Sequence, residues 1–147
     1  MMGAIFWLSV GLVVYVYAGY PILVTLAAHL RRPRQFPTAD QPKVSLLIAA
    51  FNEESEIGPK LDAALELGYP GELLQIVVAA DGSTDGTADI VRTFADRGVD
   101  LVHRPQRQGK MAAITRAVPH ATGDIIVFSD ANNRFHADAI SHLVAPF

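Results

Sequence analysis

Hydrophobic positions follow two regimes along the chain. From Ala4 to Leu30 there is no Asp, Glu, Lys or Arg, a run longer than the roughly 20 apolar residues that cross a hydrocarbon core of about 30 Å. The first charges follow the run rather than precede it, which fits a retained anchor better than a cleaved signal peptide. A buried hairpin is the alternative, but so long a run is hard to hide in a small domain. Gly19 and Pro21 predict a kink, or a break into two pieces. Arg31, Arg32 and Arg34 come next, and the excess of positive charge on the cytoplasmic side gives an N-out, C-in orientation at the cell membrane. Residues 1–30 are thus expected to be a transmembrane anchor and 31–42, broken by Pro33, Pro37 and Pro42, a juxtamembrane linker.

From Lys43 the pattern changes to short apolar runs alternating with helical spacings. Strands are expected at Lys43–Ala49, Gln75–Ala80, Val99–His103 and Asp124–Ser129, the first buried on both faces and the fourth also buried. Helices are expected at Ser55–Leu67, with Pro59 near its first turn, and at Gly86–Arg97, burying Ile90, Val91, Phe94 and Ala95. Two more follow, Lys110–Val118 with the stripe Met111, Ile114, Thr115 and Val118, and one from about Ala137 with Ile140, Leu143, Val144 and Phe147. This order predicts an α/β unit, a mostly parallel sheet with helices on both faces and ligands at the carboxyl ends of its strands.

Composition narrows the chemistry. The part from Phe36 onward holds 15 acidic and 9 basic residues, so no nucleic acid partner is expected. There is no cysteine, which excludes disulfides, thiolate catalysis and Cys-based zinc sites. His29, His103, His120, His136 and His142 lack the i, i+4 pairing of a helical metal site.

Three polar clusters stand at the strand ends: Ala49-Ala50-Phe51-Asn52-Glu53-Glu54, Asp81-Gly82-Ser83-Thr84-Asp85-Gly86 and Asp130-Ala131-Asn132-Asn133. Singly, each has a structural alternative, Asn52, Thr84 or Asp85, and Asp130 serving as helix caps. Their convergence on one edge favours a ligand site. An EF-hand loop fails because Arg92 stands where calcium needs a bidentate carboxylate. The haloacid dehalogenase motif fails because Ser83 occupies the nucleophile position. No dinucleotide or Walker fingerprint follows the first strand.

Val44 to Glu54, Asp81 to Thr87, Gln108-Gly109-Lys110 and Asp130-Ala131-Asn132, in that order, resemble family 2 glycosyltransferases of the GT-A fold, the group that includes cellulose and hyaluronan synthases. The resemblance implies an inverting transfer from a nucleotide sugar, a UDP-sugar in particular, to a glycan or lipid acceptor. The backbone at Ala50 and the side chains of Asn52 and Glu53 would border the nucleoside, and Asp81 would accept a hydrogen bond from base or ribose. Lys110 would meet base or diphosphate, an anion that would offset its unfavourable place at a helix N-terminus. Asp130 and Asn132 would hold Mg²⁺ or Mn²⁺, although Asn132 stands where the family has a second Asp, which removes one charge.

The family's later acidic motif, source of its general base, is not in the sequence. Phe147 falls inside an apolar helical pattern, so residues 43–147 are expected to be the nucleotide-sugar-binding half of a longer protein. A nucleotidyltransferase would have a Gly-rich basic loop after the first strand, which is missing. A catalytically inactive, membrane-tethered binding module is the remaining alternative.

Overall fold

A computed structural model describes residues 2–30 and 41–147. The chain divides into two units, Met1–Gln35 and Phe36–Phe147.

The first unit is helical. Helix α1 (Met2–Val14) and helix α2 (Tyr20–Leu30) are joined by a π-helical turn at Tyr15–Gly19. The Tyr20 N–H donates to the Tyr15 carbonyl, five residues back. Pro21 follows, with no N–H to give and a ring that crowds the preceding turn; the wider π turn accommodates it without ending the helix. The expected kink or break is therefore a π turn. Gly3–Ala27 is long and apolar enough to cross a membrane, with a mean hydropathy of 1.9, and its large side chains, Trp7 and Tyr17 among them, are exposed. The hydroxyls of Ser9 and Thr25 donate to the carbonyls of Ile5 and Pro21, so neither needs an outside partner in an apolar medium. Arg31, Arg32 and Arg34, which carry the orientation, and the linker up to residue 40 lie outside the described residues.

The second unit is a parallel sheet of β1 (Val44–Ala50), β2 (Leu74–Asp81), β3 (Val99–Arg104) and β4 (Ile125–Asp130), in the order β3-β2-β1-β4. Val44 pairs with Leu74 on one side and Ile125 on the other, and Ile76 pairs with Val99. Between the strands run α3 (Glu54–Leu65), α4 (Thr87–Arg92) and α5 (Lys110–Ala117), and α6 (Ala139–Val144) follows β4. Alternate residues of each strand face opposite sides. Val44, Leu46, Ile48, Ile76 and Val78 pack with Ile57 and Leu61 of α3, Val91 of α4 and Ile140 of α6. Leu47, Val77, Ala79 and Val102 pack with Ala113 and Ala117 of α5.

Five expectations are corrected. Of the α5 stripe only Ile114 packs against the core: Met111, Thr115 and Val118 are exposed while Ala113 and Ala117 are buried, because alanine lets the helix lie close to the sheet. Ala95 is exposed because the helix ends at Arg92 and tightens into a 3₁₀ turn at Ala95–Arg97, shifting the spacing. Leu143 and Phe147 are exposed because α6 ends at Val144 and buries only Ile140 and Val144. Strand β4 is an edge strand, with Phe128 exposed rather than buried. Pro59 also lies beyond the first turn of α3, whose N-cap is Glu53.

Strand order reverses between β1 and β4: β2 and β3 extend the sheet on one side of β1 and β4 on the other. In open α/β sheets such a switch point opens a crevice at the carboxyl ends of the two strands. Ala50 and Asp130 are those ends.

Candidate functional site

The loops after β1 and β2 are laced together. Asn52 takes a positive φ of 54°, which asparagine tolerates better than most residues. Its Oδ1 accepts the Thr84 N–H at 2.9 Å, and its own N–H donates to the Ser83 hydroxyl at 3.2 Å. The Glu53 N–H donates to the Thr87 hydroxyl at 2.9 Å and the Glu54 N–H to the Asp85 carboxylate at 3.2 Å. A hydrogen bond from the Thr87 hydroxyl, with others from the Thr87 and Glu54 N–H groups, holds the Asp85 carboxyl below its usual range against the opposing effect of desolvation. The polar run after β2 thus fixes the backbone after β1.

Asp81 closes β2 and is 3% exposed. Its Oδ1 accepts the Arg116 guanidinium at 2.8 Å, and its Oδ2 accepts the N–H groups of Gln108 at 2.7 Å and Gly109 at 2.6 Å. Burial by itself would push this carboxyl up; the hydrogen bonds from Arg116, Gln108 and Gly109, with the Arg116 charge, outweigh it and hold the carboxyl below its usual range. Asp81 therefore ties the loop before α5 to the sheet. Beside it, the Arg107 guanidinium stacks 3.8 Å from the centre of the Phe51 ring.

Lys110 opens α5 and Asp130 closes β4, and their side chains meet with Nζ 2.5 Å from Oδ1. Beyond them the turn Ala131–Asn133 leads to Phe135. Lys60, from α3, donates to the Ser129 hydroxyl at 2.9 Å and the Asn133 carbonyl at 2.5 Å. Burial pushes the Lys60 ammonium below the usual lysine range, and the neighbouring Asp130 carboxylate restores part of that.

These segments enclose a cavity of about 290 Å³ at the carboxyl edge, lined by Ala49, Ala50, Phe51, Glu53, Ala79, Asp81, Arg107, Gly109, Lys110, Ala113, Asp130 and Asn132. A smaller one of about 130 Å³ shares Ala49, Lys110 and Asp130 with it. Of the residues selected from the sequence, Ala50, Glu53, Asp81, Lys110, Asp130 and Asn132 line the larger cavity. Asn52 does not, since its side chain is engaged with Thr84. Three cations escaped the sequence reading: Arg116, Arg107 and Lys60. Only Lys60 left a trace there, three residues after Ile57 and four before Ala64 on the buried stripe of α3.

Asp130 already receives a cationic group, the Lys110 ammonium. A hard divalent cation in the same place would find one carboxylate and, from Asn132, one amide oxygen. Among the described residues no cluster of three or more His, Asp or Glu is placed to hold a metal ion. Two protein oxygens suit an ion that keeps several waters and takes substrate phosphates as further ligands, so the residues fit a half-site completed by a bound diphosphate.

The sequence profile described as glycosyl transferase family 2 matches residues 45–147. The chain belongs to glycosyl transferase family 2. It is 38% identical over 109 residues to the probable glycosyltransferase YdaM of Bacillus subtilis (strain 168), covering 70% of this chain and 26% of that protein. The beta-monoglucosyldiacylglycerol synthase of Nostoc sp. (strain PCC 7120) is 32% identical over 152 aligned positions, 99% of this chain and 31% of the relative. The chain thus spans about a quarter to a third of the length of these curated relatives. Among solved structures, the mannosyltransferase PcManGT of Pyrobaculum calidifontis, in complex with GDP-Man and Mn²⁺, superposes with a TM-score of 0.73 at 31% identity, over 89% of this chain and 41% of that one. The GT-A-like parallel sheet expected from the sequence is the observed fold.

Proposed function

We propose that this family 2 chain supplies the donor-binding half of a membrane-anchored, inverting glycosyltransferase that uses a nucleotide sugar, a UDP-sugar in particular. The observation that carries the reading is the cavity at the β1/β4 switch point, where four separate segments bring Glu53, Asp81, Lys110 and Asp130 together. In this reading the backbone at Ala50 and the Glu53 side chain border the nucleoside. An ionised carboxylate has about four lone-pair sites, and Asp81 uses three on Arg116, Gln108 and Gly109, leaving one for a base N–H or a ribose hydroxyl. Lys110 turns from Asp130 to the diphosphate, and Asp130 with Asn132 accepts the cation, Mg²⁺ or Mn²⁺. A bound cation supplies charge that stabilises the departing nucleoside diphosphate. The acceptor, a glycan or a lipid, and the base that deprotonates it belong to the remainder of such an enzyme. Likeness to a synthase of a glucosylated diacylglycerol, extending over 99% of the chain, supports a lipid acceptor. The apolar helix Gly3–Ala27 supports anchoring, with residues 43–147 on the cytoplasmic side.

Calorimetric titration of the full chain in detergent with UDP-sugars, with and without Mn²⁺, tests this. Binding should weaken in Asp81→Ala and Asp130→Ala, with the response to Mn²⁺ lost only in the second. Binding unaffected by either substitution would remove the site.

A further inference from the structure

Lys60 is 3% exposed and is the only buried Lys or Arg among the described residues. It forms no ion pair with a carboxylate of those residues. Taking an ammonium out of water carries a large desolvation cost, and a methionine or leucine would fill the same space on the α3 stripe without it. What distinguishes lysine here is its donors. An ammonium has three N–H groups, and Lys60 has three contacts to use them: Ser129 Oγ at 2.9 Å, the Asn133 carbonyl at 2.5 Å and the face of Phe135 at 4.3 Å from the ring centre. Ser129 lies near the end of β4 and Asn133 and Phe135 on the segment that follows it, so Ser129 and Asn133 bracket Asp130 and Asn132. The Ser129 hydroxyl passes the contact on, donating to the Asp130 carbonyl at 3.0 Å. One nitrogen from a helix thus pins both ends of the turn that presents the two oxygens.

We propose that Lys60 is a positioning residue for the cation half-site, clamping the Asp130–Asn132 turn so that both oxygens meet a divalent cation held against a nucleoside diphosphate. This rests on the reading of Asp130 and Asn132 as cation ligands. Lys60 touches neither cation nor donor; it acts through Ser129 and Asn133. Its charge opposes this role, since an ammonium close to Asp130 repels a second cation. The two effects have opposite signs, so removing the side chain tells them apart.

The test titrates UDP, with GDP in parallel, into the full chain in detergent, with and without Mn²⁺, for wild type, Lys60→Met and Ser129→Ala. The quantity read is the factor by which Mn²⁺ tightens nucleotide binding. Loss of a partner behind a metal ligand typically weakens metal affinity about 10- to 100-fold. Lys60→Met should therefore lower the factor by about tenfold or more while metal-free binding changes less than about twofold. Ser129→Ala, which removes one anchor and keeps the buried stem, should lower it less. A factor unchanged or raised in Lys60→Met, with a wild type that responds to Mn²⁺, overturns the role of Lys60 and leaves the donor site standing. A wild type that binds nucleotide without responding to Mn²⁺ overturns the cation reading and this proposal with it. If Lys60→Met lacks a cooperative thermal transition, Ser129→Ala decides: an unchanged factor there overturns the clamp.

Discussion

Lys110 Nζ lies 2.5 Å from Asp130 Oδ1, joining the first residue of α5 to the last residue of β4 across the cavity. Their side chains are 58% and 45% exposed, so solvent screens the attraction, and pairs of this kind contribute about 0–1 kcal/mol. A cation at a helix N-terminus is also disfavoured by the helix dipole. The pair therefore separates with little loss, leaving Lys110 available to an anion and Asp130 to a cation.

Lys110→Ala should accordingly change folding stability by less than about 1 kcal/mol, yet weaken nucleoside diphosphate binding by about tenfold or more, because a hydrogen bond to a charged group is worth about 1.5–3 kcal/mol. Thermal unfolding and calorimetry on one sample measure both. A large loss of stability with unchanged affinity would make Lys110 part of the framework instead.

Asp81 is bound differently, and its variant should behave differently. Asp81→Asn leaves Arg116, whose side chain is only 22% exposed, without its counter-charge, and breaking such a pair costs about 3–5 kcal/mol. The folded-state carboxyl is held below its usual value, so its contribution is present above the unfolded pKa of about 3.9 and is lost as pH falls through the folded value. Asp85 adds an acid loss of the same sign, so the difference between wild type and Asp81→Asn isolates Asp81. Urea unfolding should show that difference shrinking below about pH 4; a constant difference from pH 7 to pH 3 would contradict the assignment.

The strands were legible because buried parallel strands are near-continuous apolar runs, and the clusters at their ends followed from the topology that such runs imply. Helix faces were less legible where alanine does the packing. Met111 and Val118 outweigh Ala113 and Ala117 in any hydrophobic count, yet it is the alanines that touch Leu47 and Val77. Cations were least legible. Arg116 falls on a helical segment where a charged residue reads as solvent-facing; the buried stripe of α3 includes Lys60, but only the assembled sheet reveals what each one holds.

Two glycines with positive φ separate backbone strain from close approach. Gly98 has φ 84° and open space where a Cβ would stand, whereas at Gly82, φ 69°, a Cβ would press on the backbone and Cβ of Arg107. Left-handed backbone costs an L-residue about 1–2 kcal/mol. Gly98→Ala should lose about that much, and Gly82→Ala clearly more, with weaker nucleotide binding as Arg107 is pushed from Phe51. Equal losses in urea unfolding would remove the close-approach argument.

On α5 the two faces make opposite predictions. Ala113 is 1% exposed against the sheet and Met111 is 72% exposed. Ala113→Leu should cost about 1–3 kcal/mol by overpacking and displace Lys110 at the head of the same helix, weakening nucleotide binding. Met111→Ala should stay within about 0.5 kcal/mol. A destabilising Met111→Ala with a neutral Ala113→Leu would reverse the assignment of faces, and denaturant midpoints for the two variants distinguish the cases.

Asn132 offers the sharpest test of the cation half-site, because one atom changes. An amide oxygen binds a hard cation through its dipole alone, while a carboxylate adds a full charge, and ligand charge is one of the main controls on affinity at oxygen sites. Asn132→Asp should enlarge the Mn²⁺-dependent part of nucleotide binding by about tenfold or more. Without metal the added charge faces Asp130 on the same turn, and like charges disfavour one another's ionised form, so metal-free thermal stability should fall near neutral pH and recover when Mn²⁺ and nucleotide are added together. Recovery on adding Mn²⁺ and nucleotide is specific to a ligand role; a variant whose Mn²⁺ response matches wild type would mean that the Asn132 oxygen does not reach the cation.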